Sequence, residues 1–337
     1  MAEMDRRRPL PCDDAAVVKA IRIHEEGGPE VLRYEDVPDP VPADGEVLVE
    51  LRAASLNHLD IWLRKGTPSV PKPRILGADG AGLIAGTDER VVINPGIEAG
   101  DGRITVIGEH TNGTHAELIA VPRGNVHPIP AGLTFEEAAA FPLVFETAYR
   151  MLVTKANLQP GEWVLIWGIG AGVSTAALAI AEALGAQTIV TSSSDAKLTR
   201  ARGLGATVTV NHATEDVAAH VREATGGVGA DVVVEHVGEA TWARTLEAVR
   251  REGRVVVCGA TSGANPPARL HRIWWKQIAV LGSTMGTRAD FEGAYRLVVE
   301  GKARPVVDAV FPLAEARAAH ERLEAAQQLG KIVLSIP

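Results

Sequence analysis

Between residues 19 and 130 the apolar positions come in short runs, 19–24, 46–53, 81–85, 90–93 and 115–121, separated by proline and glycine. Runs of this length bounded by turn residues predict the strands of a compact antiparallel, barrel-like domain. One helix over 56–63 is expected to interrupt it, because Leu56, Leu59 and Leu63 fall on one helical face. The period changes after Ala131, where two helical stretches, 134–140 and 144–157, lead into the apolar run 163–167. From there strands at 163–167, 187–191, 207–210, 231–235, 254–258 and 278–282 alternate with helices at 173–184, 195–203, 215–224 and 240–249. Such alternation predicts an α/β unit with helices on both faces of a doubly wound parallel sheet, and six strands fit the order of dinucleotide-binding domains. The tail reads as helix 288–299, strand 305–310, helix 314–326 and strand 331–335. Its periodicity fits an extension of the parallel sheet and a return to the first domain equally well.

Composition narrows the partners. A chain of 337 residues suggests two domains, and 46% hydrophobic residues with 34 Gly and 20 Pro is a globular mixture with ample turn material. A formal net charge of −8 leaves no basic stripe to neutralise a phosphate backbone, so nucleic acid and anionic membrane surfaces are poor partners. The one basic run, Arg6-Arg7-Arg8, reads as a solvated tail. Cys12 and Cys258 are the only cysteines, which excludes a disulfide framework and a four-cysteine zinc site and points to a reducing, cytoplasmic setting. No apolar run is long enough to span a membrane, and the first residues lack the apolar core of a secretory signal; residues 1–18 are expected to form a disordered extension.

The run Trp163-Val-Leu-Ile-Trp167 is followed by Gly168-Ile-Gly170-Ala171-Gly172-Val173-Ser174 and an alanine-rich helix. Glycines between a strand and a helix let the backbone approach a pyrophosphate, which the free N–H groups of the helix start then hold. The dinucleotide pattern is degenerate, since Val173 stands where its last glycine would be; a mere tight strand–helix turn is the plainer alternative. At the end of the second strand, where an acid would bind the ribose diol of NAD, the chain has Ser192. With Lys197 and Arg200 just downstream this predicts binding of a 2′-phosphate, hence NADPH over NADH. The serines could also simply cap helix 195–203.

At this point the sequence resembles the medium-chain dehydrogenase/reductase superfamily, in particular its zinc-independent, quinone oxidoreductase-like branch. The resemblance runs from about Lys19 to Pro337 on Gly27-Gly-Pro-Glu-Val31, Asn57-His-Leu-Asp60, Gly77-Ala-Asp-Gly-Ala-Gly82, the glycine turn, Leu184-Gly-Ala186, Gly229-Ala-Asp231 and Gly330-Lys-Ile-Val333. It implies a GroES-like catalytic domain (19–133), an inserted Rossmann domain (134–290), a C-terminal segment (291–337) returning to the catalytic domain, and a cofactor in the cleft between domains. It also implies that Asn57 lies beside nicotinamide and substrate, that Thr147 touches the nicotinamide face, and that Gly259 and Ser283 serve the carboxamide region. Ordinary strand-end packing would explain the last two as well. Where zinc-containing members have ligands, this chain has Asn57, Ala78 and Leu143, and the cysteine lobe shrinks to Gly96-Ile-Glu-Ala-Gly-Asp-Gly102, so both zinc sites are expected to be lost.

The function these features imply is hydride transfer from NADPH to a small-molecule quinone, enone or related conjugated carbonyl without a metal. A zinc-type alcohol dehydrogenase and a non-catalytic NADP(H)-binding protein are the alternatives. A homodimer through strand 278–282 is expected from the resemblance and from the apolar edge beside Trp274 and Trp275, which read as core or subunit-interface anchors. His58, Asp60 and Asp79 are expected to form a hydrogen-bond network and not a metal site. Tyr149 is expected to pack, and Glu109, His110 and His115 to face solvent.

Overall fold

The computed structural model describes residues 17–100 and 102–337. Arg6–Arg8, Cys12 and nearly all of the expected extension lie outside the described residues; Val17 and Val18, assigned to that extension, instead open the strand Val17–Ile23.

Six parallel strands form the dinucleotide-type sheet in the order Val208–Asn211, Gln187–Ser192, Trp163–Ile166, Ala230–Glu235, Val249–Val257, Ala279–Gly282. The chain steps outward from its first strand one way and then, after a crossover, the other way; the glycine turn follows that first strand, at the switch point. Strands covered on both faces need apolar residues throughout, and Val232, Val233 and Val234 are each fully buried. Each such side chain removes apolar surface worth about 1.5–3 kcal/mol from water.

The other large sheet carries Val126–Pro128, Arg90–Ile93, Asp79–Ile84, Glu46–Ser55, Lys331–Ser335 and Val307–Pro312 in that order, with Leu118–Pro122 also paired to Glu46–Ser55. Lys331–Ser335 lies antiparallel to Glu46–Ser55, pairing Val333 with Ser55 and Ser335 with Ala53. The last strand of the chain therefore lies inside a sheet begun by residue 46, between Glu46–Ser55 and the edge strand Val307–Pro312. A three-stranded sheet (Arg33–Pro38, Val17–Ile23, Arg74–Ile75) and a hairpin (Gly96–Glu98 with Ile104–Val106) complete the β structure. Sequence pattern alone missed Arg33–Pro38 and the hairpin, whose residues alternate too little to stand out.

One apolar cluster joins the two sheets. It holds Ala53, Ala81, Val92 and Val333 from one and Val164, Ile166, Val232 and Val256 from the other, bridged by Phe141, Phe145 and Phe291. Phe141 and Phe145 flank the start of the helix Pro142–Tyr149, which packs against the helices Gly172–Ala183 and Arg288–Val299. The expected single helix 144–157 is instead this α-helix followed by a π-helical turn, Arg150–Lys155. The wider turn lets Arg150 and Thr154 both reach the buried Asp290.

Candidate active site

A cavity of about 230 Å³ opens between the two sheets. Its floor on one side is the glycine turn. Gly168 has a left-handed backbone (φ +59°), and its N–H and that of Ile169 are held by Thr191 Oγ1 (3.2 Å) and Thr191 O (2.8 Å) at the end of the neighbouring strand. Gly172 must lack a side chain, since a Cβ would stand 2.8 Å from Lys331 Cδ and 3.0 Å from Val144 Cγ1. Helix Gly172–Ala183 then starts with no side-chain cap, which leaves its first N–H groups for an anion. Under the turn, His236 Nε2 donates to the Trp167 carbonyl (2.8 Å), with the Ser174 hydroxyl at 2.8 Å. Burial lowers the His236 pKa, so the imidazole is neutral, with its proton on Nε2.

The 2′-phosphate candidates lie around this floor. Ser192 is buried, its hydroxyl accepting from Ser194 N–H (3.1 Å), and no acidic residue replaces it at the strand end. Lys197 lies close over Gly170 and donates to the Ala326 carbonyl at 2.6 Å. Arg200 is exposed and pairs with Asp308 at 3.3 Å. Both cations thus reach toward the C-terminal segment.

The opposite wall comes from the helix His58–Arg64, shifted by two residues from the expected start at 56 because Asn57 caps it and Asp60 accepts from Asn57 N–H (2.7 Å). Asp60 also accepts from Gly77 N–H at 2.9 Å, which ties the helix to the next turn. Asn57 is 5% exposed, and its amide is fixed at both ends: Nδ2 donates to Asp79 Oδ2 (2.9 Å), and Oδ1 accepts from Lys331 Nζ (2.5 Å). Lys331 also donates to Asp79 Oδ2 (2.9 Å), while Asp79 Oδ1 takes Leu143 N–H (2.8 Å) and Ser55 Oγ lies 3.2 Å from Oδ2. A flipped amide would set its oxygen against a carboxylate and its NH2 against an ammonium, so the network assigns the orientation.

Between the two walls lie Thr147, Leu143 and Val144 from the helix Pro142–Tyr149, and Gly259, Thr284 and Met285 from the far side. Trp62, Val106 and Glu109 line the mouth. His58 also lines the cavity, and burial pushes its pKa down to about 4. Burial likewise pushes the lining Cys258 thiol up to about 12, so it is inert as a thiolate.

Two family models match the chain: an alcohol dehydrogenase GroES-like domain over residues 43–131 and a zinc-binding dehydrogenase over residues 172–300. A quinone oxidoreductase of Pseudomonas aeruginosa is 33% identical, with 94% of this chain and 99% of that one covered. A zinc-type alcohol dehydrogenase-like protein of Schizosaccharomyces pombe is 33% identical, with 93% and 98% covered. The chain belongs to the medium-chain dehydrogenase/reductase superfamily. As a member it is a nicotinamide-dependent oxidoreductase with a GroES-like and a Rossmann-type unit. Among solved structures, that of an NAD-dependent alcohol dehydrogenase is similar with a TM-score of 0.91 at 42% identity, covering 95% of this chain and 100% of that one. A 2-octenoyl-CoA carboxylase reductase, solved with NADP and 2-octenoyl-CoA, reaches 0.86 at 28% identity, with 95% and 87% covered.

Some dehydrogenases of this superfamily hold zinc, and the residues here do not fit it. Asn57 is committed to Asp79 and Lys331, while Ala78 and Leu143 carry no donor atom. Among the described residues no three His, Cys, Asp or Glu side chains converge as a metal site. A divalent ion at Asn57 would also meet the Lys331 ammonium.

Several sequence expectations need correction. Ser283 lies just beside the cavity, next to the lining Thr284: its N–H continues strand pairing to Val257 O (2.9 Å), and its buried hydroxyl has no partner among the described residues. His115 does not face solvent but is fully buried, because its segment pairs along the Leu76–Gly77 backbone and Ile21. Glu109 faces the cavity mouth. Trp274 and Trp275 are not core; they are 64% and 70% exposed. His58 stays outside the Asn57–Asp60–Asp79 network and tilts toward Trp62 instead. Sequence reasoning missed Lys331 and His236 as site residues. The signal for Lys331 was present: a lone cation heads the otherwise apolar strand Ile332-Val-Leu334, and such a residue is rarely buried without a partner.

Proposed function

We propose that this chain is an NADPH-dependent reductase of a quinone, an enone or a related conjugated carbonyl, acting without zinc. The observation that supports the reading is the network at position 57, where an amide, a carboxylate and an ammonium meet at a residue that the resemblance aligns with a zinc ligand of zinc dehydrogenases. NADPH supplies the hydride when bound. The first N–H groups of the helix Gly172–Ala183 would hold its pyrophosphate, Ser192 and Lys197 its 2′-phosphate, and Thr147 its nicotinamide face. The apolar walls from Leu143, Val144, Trp62 and Met285 exclude water and hold a flat acceptor. With Leu59 where a proton-relaying hydroxyl stands in alcohol dehydrogenases, an acceptor that delocalises charge by itself suits this site; a simple alcohol does not. The reading includes a homodimer formed along the edge strand Ala279–Gly282. A screen of NADPH and NADH oxidation with quinones, enones, enoyl thioesters and aldehydes tests it. Quinone or enone turnover with NADPH is expected, whereas robust oxidation of ethanol-like substrates would overturn it.

A further inference from the structure

We propose that Lys331 is a positioning residue that acts through Asn57, turning a neutral amide into a polarised donor at the acceptor site. The inference rests on the proposed reductase reading for its consequence but not for its geometry.

Three features of the cluster carry it. The amide of Asn57 has its oxygen 2.5 Å from a buried ammonium and its nitrogen 2.9 Å from a buried carboxylate. Lys331 is 3% exposed and Asp79 fully buried, so the pair acts through protein and not through water, where its field would be screened. An ammonium on the amide oxygen draws electron density from nitrogen and makes both Nδ2 hydrogens better donors. One of these is taken by Asp79; Asn57 itself lines the cavity.

The arrangement also explains why the charge is delivered indirectly. The Lys331 stem runs against Gly172, where any side chain would collide with it, and this close approach fixes the ammonium beneath Asn57. Asp79 holds it there and is itself anchored by Leu143 N–H and Ser55. Negative charge forming on an acceptor oxygen would then meet a preorganised donor whose strength is set one residue away.

The test uses asparagine-selective 15N labelling of the intact protein together with steady-state kinetics, comparing wild type with Lys331→Met, Lys331→Gln and Lys331→Arg. Lys331→Gln keeps a donor to Asn57 without the charge and guards against a misfolded methionine variant. The Asn57 side-chain amide protons should move upfield in the two neutral variants and return toward the wild-type position in Lys331→Arg. In the same variants kcat for quinones should fall on the order of 10–100-fold with KM little changed, and the loss should be largest for the least oxidising quinones. A merely structural role would leave this dependence on acceptor potential unaltered. Unmoved Asn57 amide signals in a folded Lys331→Gln protein would overturn the proposal. If wild type reduces no acceptor, the reductase reading falls while the amide spectrum still decides the polarisation.

Discussion

The Asn57 amide lies where loss of one side chain should separate chemistry from cofactor binding. It is held by Asp79 and Lys331 and lines the same cavity as Gly172 of the glycine turn. Asn57→Ala is expected to lower kcat for the acceptor by roughly 10–1000-fold while the NADPH dissociation constant stays nearly unchanged. Stopped-flow transfer rates and fluorescence titration measure the two separately, and full turnover in the variant would contradict the role. In the proposed reading cofactor choice turns on Ser192, the buried hydroxyl at the strand end. Ser192→Asp should put a fixed charge against the 2′-phosphate and cost NADPH binding about 1–3 kcal/mol while sparing NADH. Equal losses for both cofactors would mean that the phosphate sits elsewhere. At this scale the sequence was legible where a motif names a position, as with Asn57 and the glycines. It was silent where a partner comes from far along the chain: no local pattern announces that Lys331 reaches an amide 274 residues away.

The elements follow hydrophobic period well and local geometry less well. The inner parallel strands were legible because burial on both faces demands continuous apolar runs. The π-helical turn Arg150–Lys155 was not, since it depends on Asp290 in a helix much later in the chain. One consequence lies at Glu146, inside the helix Pro142–Tyr149. Glu146 is fully buried where this helix, the hairpin Gly96–Glu98 and the loop at Gly286 meet, and a Cβ on Gly286 would overlap its Cγ. Both carboxyl oxygens lack a hydrogen-bond partner among the described residues. Burial, reinforced by the charges of Asp290 and Asp79 against the opposing Arg150, raises its pKa well above the ordinary value of 4.5. Burial thus favours the neutral acid in the fold. Above pH 4.5 the unfolded chain loses this proton and the folded one keeps it, so stability falls as pH rises toward the folded value. The slope in that window is at most about 1.4 kcal/mol per pH unit. Glu146→Gln removes it, so the variant should gain in melting temperature over wild type progressively as pH rises above 4.5 toward the raised folded value. A difference that does not grow with pH, in parallel thermal scans, would contradict the buried neutral acid.

At the scale of the molecule, one cluster of apolar side chains runs through both large sheets. Sequence pattern distinguished an antiparallel from a parallel region but left the tail undecided; the pairing of Val333–Ser335 with Ala53–Ser55 joins it to the first sheet. What the molecule leaves uncovered is the edge strand Ala279–Gly282, with Val280 43% exposed beside Trp274 and Trp275. A free edge of this kind is a template for pairing with another strand. Light scattering should therefore give about twice the chain mass of 35.6 kDa, and Val280→Arg should return it to one chain without changing the fold. A wild-type protein that is monomeric and active at low concentration would exclude the dimer.

The hydrogen bond from Gly330 N–H to the Gly170 carbonyl (3.1 Å) joins the glycine turn to the strand that bears Lys331. A ribosome adding about 5–20 residues per second would make the first partner on the order of ten seconds before the second. In that interval the parallel sheet can close around its own strands, but its glycine turn still lacks Lys331, which lies against Gly172 and holds Asn57. A nascent chain should thus acquire its nucleotide fold before it acquires a working cleft. The cleft is complete only when the latest-made strand has taken its place between Glu46–Ser55, one of the earliest, and its own predecessor Val307–Pro312.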